Sequence, residues 1–73
     1  MLSSDEKAFI RKGAKVILAN LNKMRPDLTL SEKIETIIMG FFQANVLISE
    51  FNRNLTSEDE IEIIEFIRIC LTD

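Results

Sequence analysis

Glu58, Asp59, Glu60 and Glu62 form the densest group of ionisable side chains in the sequence, and hard cations bind carboxylate clusters of this kind. The alternating Asp-x-Asp-x-Asp-Gly pattern of a calcium loop is missing from it. Acids in the first turn of a helix are stabilised by its dipole, by about 0.3–1 kcal/mol each, which explains their placement without a metal. Cys70 is the one thiol, and the chain has no histidine. Set among Ile67, Ile69 and Leu71, it lacks the usual activating base and reads as a small buried hydrophobe. Neither a Gly-rich phosphate loop nor a Gly-x-Ser-x-Gly turn occurs. The expectation is therefore a protein that is not an enzyme, with no catalytic residues, cofactor, metal site or small-molecule substrate.

Charge is the remaining source of chemistry. Residues 1–25 carry six Lys or Arg against two acids, a balance of +4, whereas residues 26–73 carry three bases against ten acids, a balance of −7. Lys7, Arg11 and Lys15 follow one another at steps of four with Lys12 beside them, so a helix through them presents a basic stripe. Such a stripe could sit on nucleic-acid phosphates. The last predicted helix is acidic, however, at the place where a helix-turn-helix would put its reading surface, and phosphates would repel it. The stripe of Lys7, Arg11, Lys12 and Lys15 is better read as a solvated face, or as the complement of acidic surface on the last helix, on a twin subunit or on a protein partner.

Three elements must carry these side chains. Ser3 with Glu6, Thr29 with Glu32 and Ser57 with Glu60 each fit a capping box, in which a hydroxyl takes one orphan backbone N–H and a carboxylate takes another. Pro26 stops the first helix, and Asn52-Arg53-Asn54 supplies residues that tolerate the left-handed conformation at a helix end. The reading is an all-α, three-helix domain with helices at about 4–24, 30–52 and 58–71, and residues 1–73 forming a single domain. The third segment is rich in β-branched Ile, but Glu58, Glu62, Glu65, Arg68 and Thr72 gather on one face only if it is helical.

The apolar faces point to self-association. The first helix places Phe9, Ile10, Gly13, Val16, Ile17, Leu21 and Met24 toward the core. The second places Ile34, Ile37, Ile38, Phe41, Ala44, Ile48 and Phe51 there, yet also has Met39, Phe42 and Val46 in a second stripe at i, i+3 and i+7. A 73-residue chain buries only about 60% of its unfolded surface by itself. With no disulfide or metal to supplement the core, a partner subunit is expected to do so. Met39, Phe42 and Val46, aided by Ile61 and Ile69, are the expected dimer or partner contact, giving a homodimeric helical bundle.

No run of apolar residues approaches the roughly 20 needed to span a bilayer, and Met1–Glu6 shows neither the basic nor the apolar part of a secretory signal. A cytoplasmic protein without membrane contact is expected. The function expected is that of a small acidic protein-binding module, a homodimeric regulatory or adaptor protein. The alternatives are a nucleic-acid-binding regulator using the basic stripe, and an acidic inhibitor acting through the last helix.

Overall fold

A computed structural model describes residues 1–72, apart from the side chain of Ala44, and every regular element among them is helical. The order is α1 (Ser4–Met24), α2 (Leu30–Phe42), a 3₁₀ turn (Gln43–Asn45), α3 (Val46–Phe51) and α4 (Ser57–Thr72). Two helix starts follow the expected chemistry. Glu6 N donates to Ser3 Oγ at 3.1 Å while Ser3 N donates to Glu6 Oε1 at 2.9 Å. Thr29 and Glu32 repeat the arrangement at 2.8 and 3.2 Å. The third capping box lies one residue earlier than expected: Thr56 and Asp59 exchange the two bonds at 3.0 and 3.1 Å, and Ser57 and Glu60 do not form it. The Asp59 oxygen that accepts from Thr56 N also accepts from Arg53, and its other oxygen is held by the Met1 amine.

The second expected helix is broken. Instead of one helix over 30–52, the chain leaves α2 at Gln43, whose ψ of 149° is extended, and passes through Asn45 in the left-handed region at φ 55°. It re-enters helix at Val46 and leaves again through Asn52, also at φ 55°. Asn accepts this conformation more readily than other side chains. The break turns α3 so that Leu47 is buried and the Phe51 ring meets Phe9 edge to face at 5.9 Å. Among the described residues the α-helices thus number four, and the stripe of Met39, Phe42 and Val46 does not run along one continuous helix. Ile48, expected in the core, is exposed for the same reason.

Ile10 and Ala14 of α1, Ile34, Ile37, Ile38 and Phe41 of α2, Leu47 of α3 and Ile63, Ile67 and Leu71 of α4 form the core. Lys7 faces Glu62 and Arg11 faces Phe66, so α1 and α4 run parallel. Gly13 lies against Phe41, while Lys33 Nζ donates to Asn22 Oδ1 at 2.8 Å, so α1 and α2 run antiparallel. With α4 on one flank of α1, the core is centred on Ile10 and Ala14, and Val16 and Met24 are left exposed, contrary to the expected inner face. Arg68 of α4 pairs with Glu35 of α2.

Candidate interaction surface

The N-terminal ends of α1 and α4 are tied together by one guanidinium. Arg53, in the turn before α4, donates from Nε to Glu6 Oε2 at 2.8 Å and from Nη2 to Glu6 Oε1 at 3.0 Å. Its Nη1 donates to Asp59 Oδ2 at 2.9 Å. Asp59 is only 2% exposed, and its other oxygen accepts from the Met1 amine at 2.9 Å. The Arg53 guanidinium, helped by the Ser3 N–H, holds the Glu6 carboxyl at about 2. The same guanidinium, the Thr56 N–H and the Met1 amine hold Asp59 well below its ordinary value. Both acids stay ionised at neutral pH. Among the described residues no buried side-chain polar atom lacks a partner. This arrangement is a clamp between helices.

The clamp divides the acidic cluster. Asp59 turns inward to Arg53, and Glu62 accepts from the Leu2 N–H at 3.1 Å and faces Lys7 at 3.9 Å. Among the described residues no three Asp, Glu, Cys or His side chains converge as metal ligands would. Cys70 is half-buried and unbridged.

An apolar concavity lies on the flank of α1 away from α4. It has a volume of about 570 Å³, opens to solvent, and is lined by Phe9, Gly13, Val16 and Ile17 of α1, Gly40 and Phe41 of α2, and Val46 of α3, with Lys12 at its edge. Both glycines shape it. A Cβ on Gly13 would stand 3.1 Å from the Phe41 ring, so the missing side chain lets α1 and α2 approach; a Cβ on Gly40 would meet nothing within 4 Å. Val16, 55% exposed, and Val46, 41% exposed, both line the concavity. Beyond Phe9 the surface continues into a second, polar hollow lined by Asp5, Glu6, Glu50 and Phe51. An apolar groove bounded by charge is suited to bury a helical side of another polypeptide.

The expected contact residues are not brought onto this one surface. Val46 lines the groove. Phe42 is half-buried and packs on the core, Met39 is 61% exposed on α2, and Ile61 and Ile69 are exposed on α4. The basic stripe is partly engaged within the chain. Lys7 faces Glu62, and the Arg11 guanidinium lies 5.3 Å from the centre of the Phe66 ring, a cation–π contact. Lys12 borders the groove and Lys15 is exposed. Arg53 was not legible as a clamp, since its partner Glu6 is 47 residues away; the only signal was a basic residue inside a helix-ending Asn-Arg-Asn. Gly40 and Gly13 could have been noticed as the small residues of two apolar helices.

No family model, curated protein or solved structure matches the chain.

Proposed function

We propose that the protein is a non-catalytic helical interaction module that acts in the cytoplasm as a homodimeric regulatory or adaptor protein. One observation carries this reading: the open groove between α1, α2 and α3, walled by Phe9, Val16, Ile17 and Val46 with only Lys12 as a charged lining residue. Apolar surface left uncovered on a small domain is costly, and a partner subunit that covers it supplements a core which the chain alone fills thinly. The titratable groups with the largest perturbations, Glu6, Arg53 and Asp59, are directed at one another. That arrangement supports a structural role for them. The engagement of Lys7 and Arg11 with α4 weighs against the nucleic-acid reading.

Sedimentation equilibrium at micromolar concentration tests the proposal. The expected result is a species of twice the 8.4 kDa chain mass. A single ideal species at the chain mass would remove the homodimer.

A further inference from the structure

The wall of the groove on α1 belongs to a longer stripe. Asp5, Phe9, Lys12, Val16, Ala19 and Lys23 follow one another at intervals of four, three, four, three and four residues, the spacing of a seam along which two helices pack. All six lie on α1, and all are exposed except Phe9, which is half-buried. Phe9, Lys12 and Val16 are groove residues. Asp5 and Lys23, at the two ends, form no ion pair among the described residues. The helix dipole accounts for an acid in the first turn and a base in the last. It does not account for their sharing one stripe with Phe9 and Val16.

The order of side chains selects an orientation. Laid parallel and in register, two such stripes would set Asp5 against Asp5, Lys12 against Lys12 and Lys23 against Lys23. Laid antiparallel about a twofold axis, the same stripes bring Asp5 of each copy opposite Lys23 of the other, large Phe9 opposite small Ala19, and Lys12 opposite Val16. Lys12 then covers Val16 with its aliphatic stem while its ammonium group reaches water. The contact is self-complementary, as a twofold dimer requires. It also carries Val16 of the second copy to the groove, opposite Lys12. We infer that the occupant of the groove is a second copy of this chain, docked antiparallel along α1 with reciprocal Asp5–Lys23 pairs. The inference rests on the homodimer reading above and adds to it the surface and the register. It leaves Met39, Phe42, Ile61 and Ile69 outside the contact and keeps Val46.

Charge reversal tests it on the full-length chain, with dimer dissociation constants from sedimentation and fold checked by far-UV circular dichroism. Asp5→Lys turns two attractive pairs per dimer into repulsive ones, as does Lys23→Asp, so each alone should weaken dimerisation by about tenfold or more. An equimolar mixture of the two variants should regain wild-type affinity, because each heterodimer has a base facing an acid at both ends. The double variant Asp5→Lys/Lys23→Asp should regain it as well. Within one copy the two positions are about 27 Å apart along the helix, so neither rescue can arise inside a chain. The double variant also retains both unfavourable helix-dipole placements, which separates loss of helix stability from loss of the contact. A dimeric wild type whose single variants bind as tightly, or whose mixture binds no better than either variant alone, overturns the register and leaves the homodimer standing. A monomeric wild type removes both.

Discussion

Gly13 lies so close under Phe41 that a Cβ at this position would stand 3.1 Å from Cζ of the ring. At Gly40, one residue before the same phenylalanine, a Cβ would meet nothing within 4 Å. Alanine is favoured over glycine within a helix by about 0.5–1 kcal/mol. Gly40→Ala should therefore raise the unfolding free energy by roughly that amount. Gly13→Ala should gain less, because the buried Phe41 ring has to give way. Urea denaturation of the two variants compares them, and equal gains would show that the ring yields without cost.

Asn45 ends the 3₁₀ turn and precedes α3 at φ 55°, ψ 32°, and its side chain makes no capping bond. The residue is thus required for its backbone alone. Asn45→Gly should stay within about 0.5 kcal/mol of wild type, while Asn45→Val, whose branched Cβ disfavours the left-handed region, should lose about 1–2 kcal/mol. Thermal unfolding monitored by circular dichroism reads both. A tolerated valine would mean that α2 and α3 can join into the single helix which the sequence pattern suggests.

The clamp predicts the acid limb of the stability curve. Folded Glu6 is lowered from 4.5 to about 2, and folded Asp59 also lies below its ordinary value. Since both folded values are below the unfolded ones, the unfolded chain takes up protons first as the pH falls. Their stabilisation is complete above about pH 5 and disappears progressively toward pH 2 and below. Urea midpoints measured across this range should fall as the pH is lowered. In Arg53→Met, which lacks the guanidinium, the midpoint at neutral pH should be lower and its dependence on acid flatter. An unchanged acid limb would show that Arg53 does not set these two acids.

Ile63 and Ile69 lie six residues apart on α4 with opposite surroundings, Ile63 at 0% and Ile69 at 58% exposure. Ile63→Ala should cost about 2–5 kcal/mol by leaving a cavity in the core. A chain of this size has on the order of 4–11 kcal/mol in total, so the variant should melt at a much lower temperature. Ile69→Ala should stay within about 0.5 kcal/mol. If Ile69→Ala also weakened self-association in sedimentation, the outer face of α4 would belong to the contact after all.

What the sequence determined by itself was local. Ser3 with Glu6 and Thr29 with Glu32 announce helix starts because a capping box is completed within four residues, and both form where expected. The helical reading of the Ile-rich last segment holds because its acids and apolar residues separate only at helical period. The choice of Thr56 and Asp59 over Ser57 and Glu60 was not local, since Arg53 and the Met1 amine also hold Asp59. The break at Gln43–Asn45 has no Pro or Gly within it, and Asn45, which tolerates the left-handed conformation, is its one local mark; the break exists where Leu47 and Phe51 turn back onto residues far away in the chain. The inner face of α1 followed the same rule. Periodicity shows that one side of a helix is apolar, but the flank taken by α4 decided that Ile10 and Ala14 are buried while Val16 remains on an open groove. Short-range hydrogen bonds are written in neighbouring residues; which apolar surface stays uncovered depends on where the other helices come to rest.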